Sequence, residues 1–294
     1  MHASTHINES ENAMTFLVTG VRGQVGRGVV NRLHAAGHSV RAASSNPVEA
    51  TAVLPAGVRP VPFDLTRPEA HAEALQDVTA LFLYSSETGI DELIRAAEEA
   101  GVQHVVLLSS SSVLLPDAEQ DGMAGPHVRV ERALAQSKLT TTVLRPGAFS
   151  SNSLSWSFAI RGGMPMQLPY PDAHLTVVHP EDLAEIATAA LTTEALTGRT
   201  LTLSGPESLT FRRQIDCIGA LLGRTIPVLQ LTRAEAEQTL GRHMPAPILS
   251  SLLKQWAAAD GVPAPIADTT ETLLGTPART FAQWAEENLQ AFAG

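Results

Sequence analysis

The sequence predicts a doubly wound α/β fold, a parallel sheet with helices on both faces, joined to a smaller, mainly helical C-terminal lobe. Three observations carry this expectation. Short apolar runs alternate with helix-like stretches through the first half of the chain. A glycine triplet, Gly20, Gly23 and Gly26, lies between the first apolar run and the first helix. The chain has 294 residues, 44% hydrophobic and 17% charged, a balance that builds a buried core and not a disordered coil.

The elements are expected in this order. Residues 1–13 are polar, lack the apolar stretch of a signal peptide and read as a flexible tail, with Met14 a natural start. Residues 15–19 (TFLVT) form a buried strand, and 24–36 a helix with Val25, Val29, Val30 and Leu33 on one face. Gly37 ends that helix, and 39–43 is the second strand. Residues 58–63 are the third strand and 68–76 a helix; 80–84 (ALFLY) are the fourth strand. A helix over 89–100 stops at Gly101, 104–109 is the fifth strand, 128–137 a helix and 140–144 the sixth strand. Parallel strands need crossovers, and right-handed crossovers put helices on both faces of the sheet.

After Pro146 the rhythm changes. Residues 150–176 are rich in Ser, Gly, Pro, Met and Trp and read as irregular. A helix over 180–191 and a strand over 199–204 follow, then helices over 207–222, 232–241, 246–259 and 278–292. The expected division is a nucleotide-binding domain over 14–149 and a substrate lobe over 150–294, with 177–205 packing back on the sheet.

Composition excludes several classes. The net charge of −10 argues against a nucleic-acid partner, which needs clustered cations. No window approaches the roughly 18 apolar residues of a membrane span, so no membrane partner and a cytoplasmic location are expected. The single cysteine, Cys217, allows no disulfide within the chain and reads as a helix core residue. The ten histidines are scattered without metal-ligand spacing, so no metal is expected.

The glycine triplet gives the chemistry. One glycine makes the tight turn, one lets backbone approach a pyrophosphate, and one lets helix and strand pack closely. The helix N-terminus then offers free N–H groups to the phosphates. Gly20, Arg22, Gly23, Gln24, Val25 and Gly26 are the expected contacts of a dinucleotide. An acid about 20 residues on would hold the ribose of NAD, but none stands before Glu49. Ser44, Ser45 and Asn46 offer donors instead, and Arg22 or Arg41 charge, although a solvated surface role is the alternative for both arginines. The expected cofactor is therefore NADP, with NAD second.

Several stretches resemble the NmrA-like branch of the atypical short-chain dehydrogenases/reductases, a Rossmann-fold family. They are TGVRGQVG (19–26), FDLTRP (63–68), HVVLLSSSS (104–112), HVRVERALAQSKLTTTVLRPGAFSSN (127–152) and VVHPEDLAEIA (177–187). The stretch 198–207 and the closing PARTFAQWAEENLQAF (277–292) are also similar to actinobacterial members. The resemblance implies that Asp64 contacts adenine and that Leu83, Tyr84, Ser85 and Ser86 flank a ribose. It implies Ser109, Ser110, Pro146 and Gly147 near the nicotinamide. It also implies a Tyr-x-x-x-Lys pair on the helix after strand five, where this chain has Met123 and His127. Met cannot donate a proton. His127 is left to hold the ribose or act as an acid, with a solvent-capped helix-start histidine as the alternative, and Ser110 is the other catalytic candidate.

The substrate side is expected over 150–176. Phe149, Trp156 and Tyr170, with Met123 and Asn152, are candidates to meet a small, flat aromatic ligand, the alternative being that they build the lobe's core. Three functions fit these residues. The first is an NADP(H)-dependent reductase of a quinone-like or other conjugated carbonyl, since such substrates need little acid help. The second is a non-redox enzyme of secondary metabolism, and the third a cofactor-sensing regulator with a protein partner.

Overall fold

The computed structural model describes residues 14–293; the expectation of a tail over 1–13 lies outside them. The first half alternates strand and helix: β1 (Thr15–Val18), α1 (Gln24–Ala35), β2 (Ser39–Ser44), α2 (Pro47–Thr51), β3 (Pro60–Pro62), α3 (His71–Ala74), β4 (Ala80–Tyr84), α4 (Ile90–Glu99), β5 (His104–Leu108), α5 (Ala124–Ala135) and β6 (Thr140–Pro146). The second half holds α6 (Ser157–Arg161), β7 (Met166–Leu168), β8 (His174–Leu175), α7 (Pro180–Thr192), β9 (Thr200–Leu203), β10 (Leu209–Thr210), α8 (Phe211–Leu221), β11 (Val228–Gln230), α9 (Arg233–Leu240), α10 (Ala246–Ala259), α11 (Thr269–Leu274) and α12 (Phe281–Glu287).

Seven strands form one sheet in the order β3-β2-β1-β4-β5-β6-β9, every neighbouring pair parallel. The order reverses beside β1, the crevice where doubly wound sheets bind ligands. Alternation along β1 fills two cores. Phe16 and Val18 point toward α1 and α7, and Leu17 joins the opposite cluster with α4 and α5. Helix α1 lies tight on α7: a Cβ at Gly28 would come within 2.7 Å of Ala184 Cβ. Arg32 bonds Glu181 at 2.5 Å across the same contact.

A third cluster gathers Ile160, Met166, Val177, Ile215, Ile218, Phe281, Trp284 and Phe292, and a smaller one Ala236, Leu249 and Leu253. Here the expectation of irregular structure over 150–176 is corrected. Residues Ser150–Trp156 form a 3-10 helix that runs into α6, β7 pairs with β11, and β8 with β10. Both strand partners come from later in the chain, so no local pattern announces them. The pairing also shortens the helix expected over 207–222, because Leu209 and Thr210 are strand and Thr210 caps α8 by accepting from Arg213 N at 3.1 Å.

Other boundaries move for local reasons. Helix α5 begins earlier than 128, because Asp121 Oδ1 accepts from Met123 N and Ala124 N, both at 2.9 Å. Pro126 then sits in the first turn, where its missing N–H costs nothing. The expected helix over 68–76 is a 3-10 turn, Pro68–Ala70, followed by α3. The expected helix over 278–292 starts at a Thr280–Gln283 capping box and gives way to a 3-10 turn at Leu289–Ala291. No helix among the described residues is long and apolar enough to cross a membrane.

Candidate cofactor and active site

The turn after β1 is shaped residue by residue. Thr19 Oγ1 donates to Phe82 O at 3.1 Å and accepts from Tyr84 N at 2.7 Å, tying the end of β1 to the end of β4. Gly20 then takes φ +68°, a conformation glycine adopts freely. The Tyr84 ring leaves it no room either, since a Cβ there would lie 3.1 Å from Tyr84 Cδ2. Gly23 N donates to Gly20 O at 2.9 Å and closes the turn. A Cβ on Gly23 would meet only Gly20 O, at 3.3 Å, and would otherwise project into open space. A Cβ on Gly26 would strike backbone, 2.5 Å from Gly20 O and 2.7 Å from Thr19 O.

Thr19, Gly20 and Gly23 line a cleft of about 480 Å³ together with Val21, Arg22, Ala43, Ser44, Ser45, Phe63, Asp64, Leu65, Thr66, Tyr84 and Ser86. The cradle fits a dinucleotide phosphate: it is open at Gly23, faces the start of α1 and has no side chain in the way. Asp64 Oδ1 accepts from Thr66 N at 2.9 Å and Thr66 Oγ1 at 2.8 Å, leaving Oδ2 free. Those two bonds hold its carboxyl below the ordinary range. Crowding around Tyr84, whose side chain still reaches solvent, raises its phenol above the usual value.

Not every expected contact comes to this cleft. Arg41 Nη1 donates to Gln76 O at 2.6 Å and is not among the lining residues. Leu83 and Val25 are buried in the two cores, and Gly26 is packing. Gln24 Nε2 donates to Asn288 Oδ1 at 3.3 Å, and Ser85 lies beside the lining residue Ser86. Arg22 does line the cleft, ion-paired to Glu49. Asn46 is not among the lining residues and caps α2, its Oδ1 accepting from Glu49 N at 3.3 Å; Ser44 lines the cleft, but its Oγ already donates to Asn46 O at 3.0 Å.

The ends of β5 and β6 form the neighbouring part of the site. Ser109 Oγ donates to Glu131 Oε1 at 2.5 Å, and Arg145 Nε to the same oxygen at 3.0 Å, so Ser109 is engaged beneath the surface. Ser110 is arranged differently. Its Oγ accepts from Ser112 N at 3.2 Å and from Ser112 Oγ at 2.9 Å. A serine oxygen has two lone pairs and one proton. In this arrangement both lone pairs are taken, and among the described residues the Ser110 proton has no acceptor other than Ser112 Oγ, with which the hydroxyl bond can reverse.

Pro146 ends β6, and a Cβ on Gly147 would lie 3.6 Å from Thr176 O and 3.9 Å from Ser111 Oγ, which puts the two strand ends and residue 176 side by side. His127, one turn before Glu131, is half-buried, with Nδ1 unpartnered. Burial pulls its imidazole below the ordinary value against an opposing pull from Glu131, so it is neutral at pH 7.

The apolar candidates separate. Trp156 packs edge-on to Phe211, which packs edge-on to Trp256, and Tyr170 lies on the fourth cluster. Phe149 bridges to Val178. Met123 precedes α5, and Asn152 is exposed, as is Phe158 nearby. Thr19 and Ser86, both expected at the cofactor, do line the cleft, whereas Phe63 and Thr66 in the cleft, and Ser112 and Arg145 beyond it, escaped the sequence reading. Only three-dimensional neighbours distinguish them from ordinary loop and strand residues.

A family model described as NAD(P)H-binding matches residues 20–194, from the glycine loop past α7. The chain belongs to this NAD(P)H-binding family. Within it, the chain is 36% identical over 281 residues to a (4-alkanoyl-5-oxo-2,5-dihydrofuran-3-yl)methyl phosphate reductase of Streptomyces griseus, covering 94% of this chain and 99% of the relative. An NAD(P)H azoreductase of Xenophilus azovorans is 27% identical, over 94% and 98% of the two chains. The crystal structure of an NADPH-dependent quinone oxidoreductase from Escherichia coli, complexed with NADPH, has the same fold, with a TM-score of 0.77, 24% identity and 93% and 99% coverage. NmrA, a negative transcriptional regulator crystallised with NADP, matches with a TM-score of 0.72 at 17% identity, over 95% and 96% of the two chains. The family member described here is an NAD(P)H-dependent reductase.

Proposed function

We propose that this reductase uses NADPH to reduce a small conjugated carbonyl, such as a quinone or an unsaturated lactone, with Ser110 as hydrogen-bond donor to the substrate oxygen. The observation that carries the reading is the Ser110 hydroxyl, whose oxygen accepts from Ser112 N and Ser112 Oγ and whose proton has no acceptor among the described residues other than Ser112 Oγ. A serine is a weak acid, so it suits a product anion that conjugation already stabilises. Met123 offers no proton, and His127 is neutral and short of a full ion's strength as a donor. The Streptomyces griseus relative is named for reducing an alkanoyl-oxo-dihydrofuran, itself a conjugated carbonyl, which supports the same class.

In this reading the phosphates lie on the Gly20–Gly23 turn and the start of α1, adenine against Asp64 Oδ2, and the 2′-phosphate near Arg22, Ser44 and Ser45. When bound, the coenzyme supplies a hydride. Ser110 orients the acceptor oxygen, and the Ser109–Glu131–Arg145 network fixes the strand ends from which Ser110 and Gly147 project. His127 meets the ribose as a neutral donor. Residues 150–176, with Phe149, Asn152 and Trp156, cover the substrate, and the lobe over 150–294 is its housing.

NADPH oxidation is followed with a panel of quinones, azo dyes and unsaturated lactones. Turnover is expected with at least one conjugated carbonyl, and Ser110→Ala should lower kcat by about 10–100-fold with little change in NADPH Kd. No turnover across the panel, or a Ser110→Ala enzyme with full kcat, refutes the proposal.

A further inference from the structure

We infer that Glu49 tunes coenzyme preference, by occupying Arg22 as a stand-in for the 2′-phosphate of NADPH. Arg22 is the only cation among the described residues lining the cleft. It does not stand free there. Its guanidinium is ion-paired to Glu49, which α2 presents from beside the end of β2. The carboxylate is held in place at its own backbone: Glu49 N donates to Asn46 Oδ1 at 3.3 Å, and Asn46 N donates to Ser44 Oγ at 3.1 Å. Thus Ser44, Asn46, Glu49 and Arg22 form one connected rim around the place where strand two ends.

The chemistry follows from competition. A phosphate and a carboxylate bind a guanidinium with the same fork of N–H donors. A 2′-phosphate arriving beside Ser45, at the end of β2, must take Arg22 from Glu49 and settle beside a carboxylate. A 2′-hydroxyl leaves the pair intact. Glu49 therefore weakens NADPH binding selectively and narrows the gap between the two coenzymes. The two side chains are 51% and 60% exposed, so the pair is a weak one and exchange is easy. The effect is one of tuning: a factor of about two to five in affinity.

The test is binding alone and does not depend on which substrate is reduced. Fluorescence titration with NADPH and NADH at low salt gives the ratio of Kd(NADH) to Kd(NADPH). Glu49→Gln is expected to raise this ratio about two- to fivefold, and Arg22→Gln to lower it by tenfold or more. In the Arg22→Gln background, Glu49→Gln should raise the ratio much less than in wild type, because there is no guanidinium to release and only the direct repulsion of the phosphate is removed. Raising the salt concentration should bring wild type and Glu49→Gln together. If Glu49→Gln does not change the ratio, or raises it equally with and without Arg22, the inference is overturned; the latter result means a general field effect.

Discussion

Replacing Gly26 by alanine puts a methyl group 2.5 Å from Gly20 O and 2.7 Å from Thr19 O, both backbone atoms that no rotamer change can move. To restore van der Waals distance the start of α1 must retreat from the turn by roughly 0.9 Å. Overpacking of this kind costs about 1–3 kcal/mol, against about 1 kcal/mol gained from alanine in a helix. The net loss is near 1 kcal/mol, a fall in Tm of about 2–4 °C for a chain of this size. The same retreat moves the first N–H groups of α1 away from the pyrophosphate, so NADPH Kd should rise by tenfold or more. Gly23→Ala separates the two effects. Its φ of −81° suits any residue and its Cβ meets only Gly20 O, at 3.3 Å, so Tm should stay within about 2 °C of wild type while NADPH binding again weakens tenfold or more. Thermal melts and NADPH titrations of both variants decide the matter. A Gly26→Ala protein with unchanged Tm and Kd, or a Gly23→Ala protein that binds normally, refutes the division of labour among the glycines.

Other outcomes follow from the same structure. Glu131→Gln leaves the Arg145 guanidinium largely buried and without a counter-charge, since the two side chains are only 14% and 22% exposed. A loss of about 2–3 kcal/mol and a Tm lower by about 4–10 °C are expected in differential scanning calorimetry. His104 is lowered from its ordinary 6.5 by burial, so the unfolded chain binds its proton more readily than the folded one. Its contribution is therefore fully present above about pH 6.5 and is lost as the pH falls from there through the lower folded value. Its Nε2 donates to Thr142 Oγ1 at 2.9 Å, a bond that glutamine can imitate, so His104→Gln should flatten the decline of Tm between about pH 7.5 and 5.5. Gly28→Leu should destabilise the α1–α7 contact by about 2–3 kcal/mol in urea unfolding, because Ala184 Cβ already stands where the side chain would begin.

The sheet was legible because its information is local. Each buried strand is a short apolar run, and the turn glycines at 20, 23 and 26 sit where strand changes to helix. The ends of elements were less so, because a cap such as Asp121 lies outside the helix it starts. Strands β7 and β8 were not legible, since Met166 and His174 acquire their partners only when Val228 and Thr210 fold back on them. The site divides the same way. Gly23, Asp64 and Tyr84 are marked by their positions after strands, and all three line the cleft. Arg41 and Arg22 are alike in sequence, both arginines near a strand end. Only side-chain geometry assigns one to the Gln76 carbonyl and the other to the cleft. Ser109 and Ser110 are adjacent and chemically identical, and the pattern of their bonds makes one a tether and leaves the other paired only with Ser112.

The bond from Gln24 to Asn288 joins residues 264 positions apart, and Arg279 reaches back to the Asp182 carboxylate on the helix that covers α1. During synthesis, then, the glycine turn leaves the ribosome first and its supporting contacts last. At about 5–20 residues per second the interval is tens of seconds. Through that time the nascent sheet has its strands but lacks the strut at the start of α1. A nascent chain halted before residue 279 should therefore be able to pair strands yet hold nucleotide poorly, which ties coenzyme capture to synthesis of the segment that carries Arg279 and Asn288.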